Sequence, residues 1–439
     1  MFTKLIKGVK IKIEYLFARG DEMNRVYLCI DLKTFYASVE CVERGLDPFN
    51  TNLVVADSSR GNGTICLAVS PKMKMLGVKN RCRIFEIPKN IKYIEAMPRM
   101  KKYIEYSANI YAIYLKYVAK DDIHVYSIDE AFLDVTKYLK LYKMNALELA
   151  KTIMKDIYDT YGITATCGIG TNLYLTKIAL DIMSKHSVTN IGWLNQERYL
   201  KELSHHKPLT DFWQIGKGIE KRLNRLGLYD MYDISHCDPK RLYKEFGINA
   251  ELLIDHSKGI EPCTIADIKN YKPKSNSIST NQILFKDYDY KNGELVLKEM
   301  IELLSQKLIA QNLMTDSISL YIGYSRDIIP PLNKNKRLYN YTNSVSTLIK
   351  EYKIIYENNV NKTESIRRIG ISFNRLQKDE NKQINLFENF EKENKEKRLE
   401  QSVITIKSKM GKNAVLKGMD LEKEATTIMR NTLIGGHKG

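Results

Sequence analysis

The chain is 439 residues long, which predicts two to four domains, and its 44% hydrophobic residues are enough to form packed cores. It carries 69 Lys and Arg against 52 Asp and Glu, a formal net charge of +17. This excess favours a polyanionic partner such as nucleic acid, although an A·T-rich genome alone can produce a Lys-rich composition. Seven scattered cysteines argue against a disulfide framework or a zinc site and indicate a reducing cytosol. No apolar run reaches the roughly 18 residues that a membrane span needs.

The first strand follows a basic N-terminal segment. Residues 1–25 contain an apolar stretch that Lys and Glu interrupt, so they predict an N-terminal extension rather than a signal peptide. Residues 26–30 form a short apolar run that is typical of a buried strand, and Asp31 follows it directly.

Helices and strands then alternate along the next 160 residues. In order they are a helix at 100–118, two strand segments at 123–135, a helix at 149–157, a strand at 163–169 and a helix at 171–185. Asp129 and Glu130 interrupt the two strand segments, and Gly162 stands where the second helix should end. This order predicts an α+β sheet with helices on one face.

The rest of the chain divides into regions of different composition. Residues 193–262 are predicted to be helical and contain a Gly-rich turn, and 272–277 form a polar linker with a proline. Residues 278–376 return to mixed strand and helix. From residue 377 onward, Lys, Glu and Asn are dense enough to predict a flexible tail.

Three carboxylates occupy the ends of predicted strands. Asp31 closes the first strand, and Asp129 and Glu130 lie in the turn of a predicted hairpin. If these strands are neighbours in one sheet, the carboxylates meet at one edge, where a hard ion such as Mg²⁺ would find the oxygen ligands that it prefers. Spacing alone favours ordinary solvated turn residues over a metal site.

The segments around these carboxylates are more specific. CIDLKTFYASVE (29–40) and YSIDEAFLDV (126–135) closely resemble the two catalytic motifs of the Y-family, or translesion, DNA polymerases of the ImpB/MucB/SamB and UmuC-like type. The resemblance implies a multidomain α+β right-hand fold with a ferredoxin-like palm, small fingers, a helical thumb and an α/β little finger. The implied domains are an extension at 1–25, the palm at 26–34 and 101–192, the fingers at 35–100, the thumb at 193–262, a linker at 263–277, the little finger at 278–376 and the tail at 377–439.

The resemblance also assigns roles within these motifs. It implies that Asp31 and Asp129 bind both of two Mg²⁺ ions, that the Leu32 carbonyl completes the nucleotide-side ion and that Glu130 serves the ion near the primer 3′-hydroxyl. Tyr36 matches the steric gate that excludes a 2′-hydroxyl and so selects deoxynucleotides, and Phe35 would pack beside it. The alternative for Tyr36 is a core aromatic at the start of a helix.

The triphosphate contacts depart from the family pattern. In the matching segment SPKMKMLGVK (70–79), Pro71 stands at the usual Tyr position and Lys74 at the usual Arg position. Lys keeps the charge but lacks the planar fork of Arg, so Lys74 is assigned to the triphosphate and Pro71 is not. Lys185, after GIGTN, is the expected second cation, with Lys177 as the alternative.

Two regions resemble the DNA-gripping parts of the family. DFWQIGKGIEKRLNRLGL (211–228) resembles the helix-hairpin-helix of the thumb. There Gly216 and Gly218 are expected to allow a tight turn, whose N–H groups and Lys217 contact a DNA phosphate. At the end of the little finger, RRIGISF places Arg367 and Arg368 as candidates for contacts with the phosphates of the primer–template.

The tail contains a short apolar motif in a charged segment, formed by Gln383, Ile384, Asn385, Leu386 and Phe387. It resembles the peptide by which bacterial polymerases bind the sliding clamp, and the alternative is a short helix that folds back onto the body. The resemblance further implies a cytoplasmic, nucleoid-associated bacterial enzyme that uses dNTPs and can depend on a recombinase filament or an accessory subunit.

Two other functions are compatible with parts of the pattern. A nucleotidyl cyclase could share the palm, but it predicts no thumb, no clamp motif and no basic DNA channel. An inactive DNA- or clamp-binding accessory protein is favoured by the departures at Pro71 and Lys74, but it predicts the loss of a metal-binding carboxylate, and all three are present.

Overall fold

The computed structural model of the chain describes residues 25–61, 63–273, 276–325, 329–381 and 390–439. They form two compact units that divide between Tyr271 and Lys272. Each unit combines helices with β-sheet around its own buried apolar residues.

The elements of the first unit agree closely with the predicted order. Its strands are β1 (Tyr27–Leu32), β2 (Leu53–Val55), β3 (Ala68–Val69), β4 (Ile94–Ala96), β5 (Ile123–Val125), β6 (Glu130–Asp134), β7 (Ala165–Gly170) and β8 (Ile191–Leu194). Its helices are α1 (Phe35–Val42), α2 (Pro71–Met75), α3 (Met100–Tyr117), α4 (Thr136–Tyr142), α5 (Ala146–Tyr161), α6 (Leu173–Ile178), α7 (Gln196–Glu202), α8 (Lys217–Arg225), α9 (Met231–His236), α10 (Pro239–Phe246), α11 (Ala250–Ser257) and α12 (Ile265–Asn270).

The central sheet of this unit has the strand order β5-β6-β1-β7-β8. Strand β1 lies in the middle, antiparallel to both β6 and β7, and β8 runs parallel to β7. Because neighbouring strands and packed helices cover it, β1 is buried from Tyr27 to Ile30. Polar side chains appear only where the strand ends, so the sheet brings Asp31 to the same edge as the β5–β6 turn.

Helix α6 packs so closely on this sheet that two strand positions must be glycine. A Cβ on Gly168 would lie 2.1 Å from the carbonyl oxygen of Thr176, and one on Gly170 would lie 2.4 Å from the Thr176 nitrogen. The chain continues from α6 into a π-helical turn, Ala179–Met183. This close approach brings the side chains of α6 over the face of β1 and β6 that carries Cys29 and Phe132.

Two smaller regions complete the unit. Residues 35–100 contain a sheet of order β3-β2-β4 with helices α1 and α2, around a core that includes Val54, Val69 and Met73. Helices α7–α11 form a helical region whose apolar core includes Leu223, Met231 and Leu242. The expected boundary of the helical region at residue 193 is wrong by two residues, because β8 extends to Leu194.

The expected linker at 263–277 is also wrong in part. Residues 265–270 form α12, and Ile265 is buried against Tyr27 and Phe132 of the central sheet. Polar residues dominate the segment, so the two apolar residues that anchor it, Ile265 and Ile268, give little signal in the sequence.

The second unit contains a five-stranded antiparallel sheet, in which four strands have the order β11-β10-β12-β9 and the short β13 also pairs with β10. Its strands are β9 (Ser277–Tyr288), β10 (Leu313–Tyr324), β11 (Leu332–Thr342), β12 (Ile366–Asn374), β13 (Gln377–Lys378), β14 (Leu433–Ile434) and β15 (His437–Lys438). Its helices are α13 (Tyr290–Ala310), α14 (Val345–Asn359), α15 (Phe390–Met410) and α16 (Thr427–Asn431). Helices α13 and α14 bury one face of the sheet, including Ile318, Leu320 and Ile371.

The prediction of a flexible tail at 377–439 is wrong for residues 390–439, which are folded. Helix α15 packs against α13, and the Glu299 carboxylate of α13 accepts hydrogen bonds from the backbone N–H groups of Thr426 (2.9 Å) and Thr427 (2.9 Å). The charged composition predicts disorder, but these long-range contacts stabilise the segment. The expected clamp motif, 383–387, lies outside the described residues.

Among the described segments, no helix is both long enough and apolar enough to span a membrane.

Candidate active site

The backbone of the central sheet gathers the predicted carboxylates. Asp31 of β1 pairs directly with Glu130 of β6, so their side chains leave the sheet on the same face. The N–H of Leu32 donates to the carbonyl oxygen of Asp129 at 2.9 Å, which fixes the turn beside the end of β1. Two segments almost 100 residues apart in sequence therefore meet at one sheet edge, as their flanking motifs predict.

The electrostatics of this edge are unfavourable without a cation. Burial, together with the charges of Asp129 and Glu130, raises the pKa of Asp31 to about 7. Within the described residues, no group of three or more His, Cys, Asp or Glu side chains is gathered closely enough to ligate one metal ion. The three carboxylates face a common space without closing into a ligand set, and their all-oxygen chemistry and mutual repulsion fit a divalent cation such as Mg²⁺.

Glu130 has two further partners that the sequence did not reveal. Lys177 of α6 donates to Glu130 Oε2 at 2.8 Å, and the Cys29 thiol donates to Glu130 Oε1 at 3.1 Å. Lys177 also forms an ion pair with Asp181 at 3.1 Å, within the π-helical turn. Burial alone would lower the pKa of Lys177, but the Glu130 and Asp181 carboxylates raise it. Lys177 therefore positions Glu130, and it is not left free for a triphosphate.

Asp129 is held by its own turn. The Ser127 hydroxyl donates to Asp129 Oδ1 at 2.6 Å, and the Asp129 N–H lies 3.3 Å from the same hydroxyl oxygen. This hydrogen bond restricts the orientation of the Asp129 carboxylate. The YSIDE sequence thus supplies both the carboxylate and the group that orients it.

Tyr36 lies beside this carboxylate edge. Burial, followed by the charge of Asp129, raises the pKa of Tyr36. Its ring stacks on Tyr103 with a centroid separation of 4.4 Å and an interplanar angle of 17°, and it also contacts the buried Phe35 at 5.8 Å. The partly exposed ring is therefore fixed between two aromatic neighbours near Asp129.

Tyr103, which stacks on Tyr36, is held in turn by a buried ion pair between Glu40 and Arg99. The Tyr103 hydroxyl donates to Glu40 Oε1 at 2.8 Å, and Arg99 binds both Glu40 oxygens at 2.9 Å. Burial would raise the pKa of Glu40, but hydrogen bonds from Arg99, Arg44 and Tyr103 lower it. Tyr103 lies within the predicted helix at 100–118, and nothing local in the sequence connects it to Tyr36.

The expected triphosphate residues differ in their surroundings. Burial lowers the pKa of Lys74, and the positive charges of Lys185 and Lys33 lower it further, while Asp31 raises it. The charges of Asp31 and Lys185 therefore both act on Lys74. Lys185 is half exposed and forms an ion pair with Asp181 at 3.0 Å. Pro71 is buried at the first position of α2, consistent with its exclusion from the predicted site.

Comparison with known proteins identifies the chain. Models of the impB/mucB/samB family match residues 30–181, and the model of that family's C-terminal domain matches residues 275–386. The Bacillus subtilis (strain 168) protein UvrX, named for UV-damage repair, is 31% identical over 94% of this chain and 97% of its own length. The chain belongs to the impB/mucB/samB family. The predicted Y-family resemblance is therefore confirmed.

Other impB/mucB/samB relatives have similar coverage. A protein of Bacillus subtilis (strain 168) named DNA polymerase IV 2 is 28% identical over 94% of this chain and 99% of its own length. Among solved structures, a Y-family DNA polymerase chimera of Dbh and Dpo4 matches with a TM-score of 0.62 and 24% identity, covering 82% of this chain and all of the chimera. This likeness confirms the predicted multidomain α+β polymerase fold.

In this impB/mucB/samB chain, the backbone conformation of the proposed helix-hairpin-helix turn differs from the expected one. Gly216 precedes α8 with φ −88°, and the positive φ of the turn belongs to Gln214, at 70°. The expected conformational reason for the two glycines is therefore wrong. A Cβ on Gly216 or Gly218 would meet nothing within 4 Å, so the glycines instead leave the N-terminus of α8, with Lys217, open to a close neighbour.

The sheet of the second unit separates the two candidate arginines. Arg368 lies on the face opposite the apolar core, with its guanidinium 5.2 Å from the Tyr321 ring centre. That face carries a polar cavity of about 330 Å³, lined by hydroxyl and amide side chains that include Ser279, Ser319 and Asn374. Arg367 lies at a β-bulge and is paired with Asp287 at 3.3 Å. The structure thus distinguishes Arg368, on an open polar face, from Arg367, which already has a carboxylate partner.

Proposed function

We propose that the chain is a DNA-dependent DNA polymerase of low fidelity, which extends a primer past damaged template positions by transferring nucleotides from dNTPs. The observation that carries this proposal is the meeting of Asp31 with Asp129 and Glu130 at one sheet edge, within segments that match the impB/mucB/samB family. The names of the relatives, a UV-damage repair protein and several DNA polymerases IV, agree with this activity.

The proposed cofactor is a pair of Mg²⁺ ions. Asp31, Asp129 and Glu130, with the Leu32 carbonyl, would hold them, and bound ions would supply Lewis-acid stabilisation of the reacting phosphoryl oxygens. Lys177 and Cys29 hold the Glu130 carboxylate in place before the ions arrive. Ser127 does the same for Asp129. The chain thus orients its own ligands, which reduces the reorganisation that metal binding requires.

The nucleotide would be selected and held by residues around this edge. We assign sugar selection to Tyr36, because its ring is fixed against Tyr103 beside Asp129. We assign the triphosphate to Lys74 and Lys185, whose charges act on the same region as Asp31. A Lys at position 74 binds phosphate as a point charge, without the paired hydrogen bonds of an Arg.

The primer–template would contact several parts of the chain. We assign the palm to the central sheet, the fingers to residues 35–100, the thumb to helices α7–α11 and the little finger to the sheet of the second unit. Phosphate contacts would come from the open turn of Gly216, Lys217 and Gly218, and from the polar face with Arg368. Phosphate contacts of this kind give affinity without reading the base sequence.

Protein partners follow from the tail motif. We propose that residues 383–387 dock on the sliding clamp, because a Gln followed by aliphatic residues and a Phe is an apolar motif in a charged surrounding. A recombinase filament or an accessory subunit remains a further candidate partner for activation.

Primer extension tests the proposed function directly. With Mg²⁺ and all four dNTPs, the wild-type chain should extend primers on an undamaged template and past an abasic site, and the double variant Asp129→Ala/Glu130→Ala should do neither. Thermal unfolding of the double variant checks that it folds. If the wild-type chain extends no primer even with the clamp and recombinase filament added, the polymerase assignment is wrong, and an accessory role is favoured.

A further inference from the structure

The folded C-terminal segment encloses a cavity that the proposed polymerase activity does not use. The cavity has a volume of about 550 Å³ and lies where the C-terminal halves of α13 and α15 approach α16. This volume is within the range of sites that bind small molecules. It lies on the helical side of the second unit, whereas the polar face with Arg368 is on the opposite side of the sheet.

The lining of this cavity is cationic around an apolar floor. Four of its side chains are positively charged, namely Lys307, Lys407, Lys412 and Arg430, and no carboxylate of the described residues lines it. The floor is formed by apolar side chains of α13 and α15, including Leu303 and Ile404. Ser408 and Asn431 add a hydroxyl and an amide.

The side chain of Arg430 contributes a buried nitrogen to this cavity. Its Nη1 nitrogen is buried and has no hydrogen-bond partner among the described residues. Burial lowers the pKa of Arg430, and the one opposing influence is the charge of Glu299. Glu299 is already occupied, because it accepts hydrogen bonds from the N–H and hydroxyl of Thr426 and from the N–H of Thr427. A buried guanidinium nitrogen without an acceptor is costly, and an anion in the cavity would remove that cost.

The neighbouring carboxylates do not neutralise the lining. Glu302 and Glu400 lie behind Gln306 and are both bound by Lys417, at 3.2 and 3.1 Å. Gln306 donates to the same two carboxylates and accepts from Lys407 at 3.4 Å. Lys407 is thus oriented by an uncharged amide, and its charge remains available to the cavity.

A simpler role for three of the cations is to complement helix C-termini. Lys307, Lys407 and Arg430 each lie in the last turn of a helix, where positive charge is favourable. That role requires neither a cavity nor a buried guanidinium nitrogen without an acceptor. We propose that the cavity binds an organic phosphate, with the phosphate at Arg430 and Lys407 and an apolar body against the floor. A phosphate dianion offers three oxygens to these donors, more than a carboxylate does.

Isothermal titration with phenyl phosphate, in EDTA to suppress metal-dependent nucleotide binding, tests the proposal. The wild-type chain should bind phenyl phosphate with a Kd below about 1 mM, more tightly than inorganic phosphate, and should not bind phenol at that concentration. Arg430→Gln/Lys407→Gln should weaken binding roughly 10- to 100-fold. The matched control Lys409→Gln removes an exposed charge of the same helix that does not line the cavity, and it should bind as the wild type does.

Two measurements keep the test independent of folding. Arg430→Lys retains the charge and should keep part of the affinity that Arg430→Gln loses. Hydrogen exchange of the wild-type chain should slow at residues 404–412 and 427–431 when phenyl phosphate is added. The proposal is overturned if the wild type does not bind phenyl phosphate, if the double variant binds it equally well, or if the exchange protection falls elsewhere. Equal affinity for inorganic phosphate would overturn the apolar part of the site.

Discussion

At the scale of single residues, the stacking of Tyr36 on Tyr103 connects the proposed sugar gate to a buried ion pair. Tyr36 alone is a partly exposed ring that could adopt several positions. Stacking on Tyr103, whose hydroxyl is held by Glu40, limits those positions. A gate excludes a 2′-hydroxyl only when its ring cannot move aside, so Tyr103 and Glu40 would contribute to sugar selection by the proposed gate.

Replacing Tyr36 should relax sugar selection. In Tyr36→Ala, the preference for a dNTP over the matching ribonucleotide should fall by roughly 10²-fold, because no ring remains against the 2′ position. Single-nucleotide insertion with each substrate measures this ratio. Tyr36→Phe keeps the ring and should keep the preference, and Tyr103→Ala should lose an intermediate part of it. An unchanged ratio in Tyr36→Ala would mean that another residue is the gate.

Glu40 should contribute to the pH dependence of stability. Its pKa is lowered in the folded chain below the ordinary value of 4.5, so its contribution is present above about pH 4.5 and is lost as the pH falls through the folded pKa. Glu40→Gln should lower the free energy of unfolding by about 3 kcal/mol at pH 7. The difference between the two proteins should shrink at lower pH. Urea unfolding at pH 7 and near pH 4 measures it, and a constant difference would contradict the assignment.

At the scale of elements, Gly216 and Gly218 at the start of α8 are not required by the backbone conformation. Gly216 and Gly218 have ordinary φ angles, and alanine would fit at both positions. A glycine inside a helix is destabilising relative to alanine, so its presence at residue 218 has a cost in stability. Close approach of a DNA phosphate to the N-terminus of α8 would explain that cost.

Gly218→Ala should therefore separate stability from binding. The substitution should raise the free energy of unfolding by about 0.5–1 kcal/mol, because alanine is the better helix former. It should also weaken primer–template binding, measured by fluorescence anisotropy, because the added methyl group meets the phosphate. Gly227→Ala, at φ 78°, is a control that should lose stability without occupying the proposed contact. Unchanged DNA affinity in Gly218→Ala would remove this turn from the DNA interface.

Some of these elements can be predicted from the sequence and others cannot, for physical reasons. Strands β1 and β6 are predictable because buried apolar runs stop at carboxylates, and helix α5 is predictable because its periodic apolar face ends at Gly162. Helix α12 depends on the burial of Ile265, and the C-terminal segment depends on Glu299 binding Thr426. Lys177 is only an alternative cation for the triphosphate in the sequence, because its contact with Glu130 crosses 47 residues and leaves no local signal. Local patterns carry no information about such contacts.

At the scale of the whole molecule, a net charge of +17 should govern DNA affinity. Binding that depends on phosphate contacts releases counterions, so affinity falls steeply with salt. Between 50 and 200 mM NaCl, the Kd for primer–template should rise by roughly 10³-fold, with little dependence on base sequence. Fluorescence anisotropy over this range measures the slope. A flat salt dependence would show that the excess charge does not lie on the DNA-binding surfaces.

The central claim is that the carboxylates of one sheet edge perform nucleotidyl transfer. Single-nucleotide insertion with Mg²⁺ in Asp31→Asn tests it most directly, because the substitution removes the charge and keeps the shape. The matched control is Asp134→Asn, at the far end of β6, where the carboxylate accepts hydrogen bonds from the N–H and the hydroxyl of Thr136. Insertion by Asp31→Asn should fall by at least about 10²-fold, and insertion by Asp134→Asn should be near that of the wild type. Equal loss in both variants, or full activity in Asp31→Asn, would contradict the assignment of this edge as the active site.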